Sequence, residues 1–213
     1  MKSEEKLKLK MTLIISHPIL FALRSNLLIT FPPPIMGIDI YSRWKQQSSL
    51  EEKSQITAFD TTAGKTGYLR EAYHGGPYVT KYLVAESFAE DMQGDDLEHG
   101  PQIPAAVLRE RLPTAVLLAM YRNHVVYKEK PDPGTGDINK LSAMLSNIFT
   151  KEVRDRTHEE VIEKFGQEQI DTAKEMILRE ALPDYAQSFV DFVELCEAKE
   201  KETGEPCRIY ASY

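Results

Sequence analysis

Apolar and polar residues alternate from Ile38 to Trp44. Ile38, Ile40, Ser42 and Trp44 fall on one side, and Asp39, Tyr41 and Arg43 on the other. Period two is the mark of a strand with one face inward. The polar run 46–53 predicts a loop or short helix, and 55–59 a weak second strand. Over 67–74 a helical reading gathers Tyr68, Leu69, Ala72 and Tyr73 on one face. Arg70, Glu71 and His74 gather on the other, with Thr66 as cap and Gly75-Gly76-Pro77 as stop. A strand there would mix Arg70 with Tyr68 and Glu71 with Leu69, so a helix is predicted. Val79, Thr80, Tyr82 and Val84 are β-formers and predict a strand over 78–88.

The second half carries helical periodicity. Pro104 opens a helix, and Pro113 is expected to interrupt it and start another reaching about residue 128. Residues 131–136 read as a loop. Asp137 caps a helix that turns Ile138, Leu141, Leu145, Ile148 and Phe149 inward. Thr157-His-Glu-Glu160 is a capping box leading to Val161, Ile162 and Phe165, with Gly166 as the stop. Ile170, Ala173, Ile177 and Ala181 line the next helix, which ends before Pro183. Tyr185, Phe189, Phe192, Val193 and Cys196 line the last, which ends at Gly204. From Cys207 to Tyr213 alternation returns, so the chain closes on a strand. Strands near both ends of a folded body are ordered by pairing, so 38–43 is expected to pair with 207–213. The fold class is therefore α+β: a small sheet built from the N-terminal half and the C-terminal strand, packed by a mainly helical C-terminal half.

Residues 1–35 break this picture. They carry net charge +3, leaving −10 on the rest of a 213-residue chain whose total is −7. Their apolar stretch is interrupted by Ser16, His17, Pro18, Arg24, Ser25 and Asn26, which disfavours a membrane span. Glu4, Glu5 and the lack of an Ala-x-Ala-like site disfavour a signal peptide. Two readings stay open: a leader upstream of a true start at Met36, or a weak membrane-surface or export segment. The body, 36–213, reads as a single domain. Its acidity repels phosphate backbones and disfavours nucleic acid, while a basic protein partner stays electrostatically open. Cys196 and Cys207 form no Cys-x-x-Cys pair, so two reduced thiols in a cytoplasmic protein are expected.

Chemistry-bearing residues concentrate near the first strand. Four of ten tyrosines lie between Gly67 and Tyr82. If the outward face of the first strand (Asp39, Tyr41, Arg43) meets Tyr68, Arg70, Glu71, Tyr73, His74 and Tyr78, a polar pocket results. His74 would serve as general base, oriented by Glu71 or Asp39, and Arg70 or Arg43 would bind a carboxylate or phosphate. The same groups also suit a solvated helix face. Ala63-Gly-Lys-Thr66 is reminiscent of a phosphate-binding loop, but Phe59 stands where the motif needs glycine. Asp91, Asp95, Asp96, Glu98 and His99 match no EF-hand spacing and read as a solvated acidic loop. Glu71 and His74 have the spacing of a helical metal pair, but no second pair accompanies them. His124 reads as packed and hydrogen-bonded, and His158 as exposed. No metal or cofactor is expected.

The run Met36-Gly-Ile-Asp-Ile-Tyr41, with Trp44, Gly67-Tyr-Leu-Arg-Glu-Ala-Tyr-His-Gly75 and Ile209-Tyr-Ala-Ser-Tyr213, resembles small bacterial or phage-associated proteins that begin at the equivalent of Met36. The resemblance implies the late start and no activity. Two function classes follow from the sequence. The first is an interaction or accessory protein that holds a protein partner through its tyrosine-rich patch. The alternative is a small-molecule-binding protein or enzyme with a polar pocket around His74.

Overall fold

A computed structural model describes residues 37–56, 64–72, 77–89, 100–126, 136–149 and 156–212. Three antiparallel strands form one sheet: β1 (Gly37–Arg43) lies between β2 (Tyr68–Ala72) and β3 (Arg208–Ser212). Seven α-helices accompany them among the described residues: α1 (Ser49–Ile56), α2 (Val79–Leu83), α3 (Ala105–Met120), α4 (Gly136–Ile148), α5 (His158–Ile162), α6 (Gln167–Leu178) and α7 (Asp184–Thr203). The α+β class is thus observed, with the pairing of the first strand against the last. The register sets Tyr41 opposite Tyr210 and Ser42 opposite Ile209.

The sheet has two unlike faces, as the period-two pattern requires. Ile38, Ile40, Leu69, Ile209 and Ala211 turn into the main core. That core is built around α3, whose residues from Ala115 to Met120 are buried on every side. Helices α2, α6 and α7 pack against it. The N-terminus of α3 has no side-chain cap of its own; the Ala105 N–H instead donates to Glu200 Oε2 of α7 at 2.6 Å. Pro113 does not split this helix, contrary to the sequence expectation. A proline inside a helix costs about 3 kcal/mol, and burial of Leu108, Leu112 and everything after Thr114 offsets that locally unfavourable choice.

The region 67–88 reverses the sequence expectation twice. Residues 68–72 are a strand, not a helix, and Val79–Leu83 is a helix, not a strand. One interaction explains both. In a strand Glu71 shares the core face with Leu69, which puts its carboxylate in the interior, 4 % exposed. There Glu71 Oε1 accepts the Val79 N–H at 2.9 Å, and Oε2 accepts the Thr80 N–H at 2.9 Å and the Thr80 hydroxyl at 2.6 Å. The Arg122 guanidinium, from the π-helical turn Tyr121–Val126, donates to Oε1. The carboxylate therefore caps the free N–H groups that open α2, and its charge suits that helix end. β-Propensity at Val79 and Thr80 yields to this tertiary cap.

The remaining helices follow their patterns. Ile138, Leu141, Leu145 and Phe149 are buried, while Ile148 is half-buried. Thr157 and Glu160 form the expected capping box. Gly166 opens α6 rather than only closing α5. Helix α6 ends at Leu178, with Glu180 left-handed at φ 53° and Ala181 N–H donating to Met176 O. The expected strand at 55–59 is in part the end of α1, and its remainder lies outside the described residues. Cys196 and Cys207 are free and buried. No helix among the described residues is long and apolar enough to cross a membrane.

Glu71→Gln should destabilise the fold by about 3 kcal/mol or more, because it leaves the buried Arg122 without this counter-charge. Urea denaturation measures it. A loss under about 1 kcal/mol would mean that the pair behaves as a surface pair and does not hold the two elements.

Candidate functional site

The outward face of the sheet is ordered in cross-strand rows. In the first row Arg70, Asp39 and Ser212 lie side by side; in the second, Tyr68, Tyr41 and Tyr210. In the third, Arg43 stands opposite Arg208, and an isolated bridge extends that row to Gln102. Residues directly opposite each other share a face, so each row is a set of neighbouring side chains.

The middle row is an aromatic cluster separate from the main core. The Tyr41 ring lies 5.2 Å from that of Tyr68 and 6.4 Å from that of Tyr210. Tyr68 donates its phenolic hydrogen to Asp39 Oδ1 at 2.6 Å. Arg70 stands 3.8 Å from the same oxygen and is partly exposed, so that ion pair adds little stability. Burial, and then the bond to Asp39, push the Tyr68 phenol far above its ordinary range. Burial, and then the Asp39 charge, also raise Tyr41. Contact with the Tyr68 hydroxyl, and then Asp39, raise Arg70.

Of the residues picked out by sequence, the structure gathers Asp39, Tyr41, Arg43, Tyr68 and Arg70 on this one face. It sends Glu71 to the opposite face, where it binds Arg122, so Glu71 is not part of a pocket with Arg70. Tyr78 lies on that inner side too, with the Arg122 guanidinium 5.3 Å from its ring centre. Tyr73 and His74 lie outside the described residues, as does the acidic loop at 91–99. Among the described residues no group of His, Cys, Asp or Glu is arranged to hold a metal ion. Gly64–Thr66 is a single 3-10 turn leading into β2, so no helix begins where a phosphate loop would need one. A Cβ on Gly64 would fall 1.9 Å from the Ser188 carbonyl of α7, which explains the glycine by close packing alone. His124 hydrogen-bonds the Tyr185 hydroxyl, as a packed histidine should. His158 is half-buried rather than exposed, beside Tyr82 and 2.5 Å from Glu159.

The third row opens into a cavity of about 640 Å³ at the end of β1. Its walls come from Arg43–Gln47, Glu52 of α1, Gln102, and Glu205, Pro206 and Arg208. The Arg43 guanidinium lies 5.9 Å from the Tyr41 ring centre and donates to Gln55 Oε1. Gln55, fully buried, is anchored in turn to the carbonyls of Ser42 (2.9 Å) and Gly67 (3.2 Å). Arg208 donates to the Gly100 carbonyl at 3.3 Å. Lys45 pairs with Glu205 at 2.7 Å.

Two features of the cavity are unusual. A turn closed by Gln47 N–H to Trp44 O holds Gln46 left-handed at φ 63°. This conformation favours glycine and costs other residues about 1–2 kcal/mol. Beside it, both polar atoms of the Gln47 amide are buried with no hydrogen-bond partner among the described residues. A second cavity of about 880 Å³, between α3 and α6, offers no such groups. Its arginines are already engaged, Arg109 with Glu197 and Arg111 with Glu86.

The sequence missed Tyr210, Arg208, Gln102 and Gln47. The signal for the first two was present: pairing 207–213 with 38–43, with Ile209 inward, puts Arg208 and Tyr210 on the face of Tyr41. Nothing local marks Gln47 or Gln102, which acquire their setting from the fold.

Tyr41 and Tyr68 should stay protonated while exposed tyrosines ionise near about pH 10. Their folded-state pKa values lie above the unfolded ones. The stability they contribute is therefore full below about pH 10 and is lost as pH rises further, when the unfolded chain releases protons the folded chain retains. Tyrosinate absorbance during a base titration tests this, and Tyr68→Phe should soften the alkaline loss. Ionisation of all ten tyrosines in one ordinary step, with the fold intact, would contradict it.

No protein-family model matches this chain, and neither does any curated protein or any solved structure, so a functional reading rests on the geometry of this face.

Proposed function

We propose that this chain is a binding protein for a small polar ligand, held in the cavity between Arg43, Gln47 and Arg208. The observation that carries the reading is the Gln47 amide. A buried amide without a partner costs about 1–3 kcal/mol, and folded proteins rarely leave one. A ligand that offers a donor and an acceptor would recover that loss once the Gln47 side chain, whose polar atoms solvent does not reach, turns toward the cavity. The left-handed Gln46 beside it supports the same reading, since backbone strain collects at functional sites. A cavity of about 640 Å³ has room for a metabolite-sized molecule.

The tyrosine row fits this reading better than a partner-binding patch. Tyr68 is 0 % exposed and Tyr41 and Tyr210 are 9 % exposed, so the rings are not offered to a protein surface. They stiffen the sheet under Arg43 and fix the direction of its side chain. This reading sets the ligand at the Arg43 end of β1, while the alternative pocket around His74 falls on residues outside those described.

A thermal-shift screen of the full chain against nucleotides, sugars, amino acids and organic acids tests the proposal. A true ligand at 100-fold excess over its Kd adds about 2.7 kcal/mol. Gln47→Leu should abolish that shift while leaving the unliganded protein as stable or up to about 1 kcal/mol more stable, since it removes the orphaned amide. A shift that survives Gln47→Leu, or no shift from any compound, would overturn the reading.

A further inference from the structure

The chemical class of the ligand follows from the third row of the sheet. Arg43 and Arg208 are direct partners across antiparallel strands. Like charges in that arrangement repel, and they destabilise the strand pair unless something neutralises them. Among the described residues no carboxylate forms an ion pair with either of them. Arg43 donates to the neutral amide oxygen of Gln55, and Arg208 to the neutral carbonyl of Gly100. Neither has an ion pair among the described residues. The third cation of the cavity, Lys45, does have one, with Glu205. Carboxylates are abundant in a chain of net charge −7, and two, Glu52 and Glu205, line the cavity, yet among the described residues none pairs with either of the facing arginines.

We infer that the bound ligand carries an oxyanion, a phosphate or a carboxylate, that bridges the guanidinium groups of Arg43 and Arg208. Opposed residues of an antiparallel pair start about 5 Å apart at Cα, so both side chains reach one point. Each guanidinium presents a planar fork of donors that matches two oxygens of such a group. Gln102, next in the row, adds an amide at the same edge. Gln55 holds Arg43 in place, so part of the ordering is complete before the ligand arrives. Glu52, in the wall contributed by α1, and Glu205 are the acidic groups of the cavity. They disfavour a ligand that is anionic throughout and fit one whose charge is confined to the arginine end. The inference rests on the cavity reading above and narrows it.

The test is a calorimetric titration of the full chain with inorganic phosphate and, separately, with acetate, at constant ionic strength set by chloride. One of the two should bind saturably at one equivalent, and which one does so separates the phosphate source from the carboxylate source. Arg208→Gln should weaken that binding at least tenfold. Arg208 is exposed, so the variant should fold, and loss of the facing charge should raise its stability in low salt relative to the parent chain. Binding no tighter than chloride, or an affinity unchanged in Arg208→Gln, would overturn the inference. A neutral compound whose stabilisation disappears in Gln47→Leu but persists in Arg208→Gln would leave the cavity reading standing and remove the oxyanion from it.

Discussion

A charged carboxylate taken out of water must be met by donors and by opposite charge, or the element that carries it will not stay buried. Glu71 is met from two directions: by the first N–H groups of α2, which follows it in the chain, and by Arg122, which lies beyond α3. This arrangement ties β2, α2 and the end of α3 to one point. It also sets the orientation of β2. With Glu71 inward, Leu69 is inward, and Tyr68 and Arg70 are forced to the other face beside Asp39 and Tyr41. The composition of the outer face thus depends on a salt bridge on the inner one.

The outer face is then a consequence of register. Three antiparallel strands pair Tyr68, Tyr41 and Tyr210 into one row and leave Asp39 and Arg43 to either side of it. The tyrosines bury their rings against one another, and Asp39 takes the Tyr68 hydroxyl. Aromatic contact of this kind is stiff, because each ring has few rotamers and is wedged by its neighbour. Stiffness in the middle of a small sheet makes its end a place where side chains can be held in defined positions. The arginines, the strained turn at Gln46 and the orphaned amide of Gln47 all lie at that end.

The inner and outer faces treat charge in opposite ways. Arg122 is enclosed and finds its carboxylate within the chain, as do Arg109 and Arg111 at the surface. Among the described residues Arg43 and Arg208 donate to neutral oxygens, those of Gln55 and Gly100. Satisfied polar groups hold a structure together, whereas unsatisfied ones in a cavity need an outside partner. This contrast favours the end of β1 over the larger groove between α3 and α6 for the proposed site.

Much of the architecture was legible in the chain because it is governed by local rules. The period-two runs at 38–44 and 207–213, the 3.6-residue stripes of α4, α6 and α7, the Thr157–Glu160 capping box and the left-handed Gly204 each act within a few residues. The region 67–88 was not legible, because a pattern of Tyr, Leu, Arg and Glu favours a helix until a distant arginine neutralises the glutamate. Asp39, Tyr41, Arg43, Tyr68 and Arg70 were recognisable as polar and aromatic groups on one stretch of chain. Which of them would meet, and that Arg208 and Gln47 would complete the set, was decided only by strand register and by a turn that buries an amide. The β1–β2 register joins residues about thirty apart, and the β1–β3 register and the cavity walls join segments more than a hundred apart, and no local preference encodes such contacts.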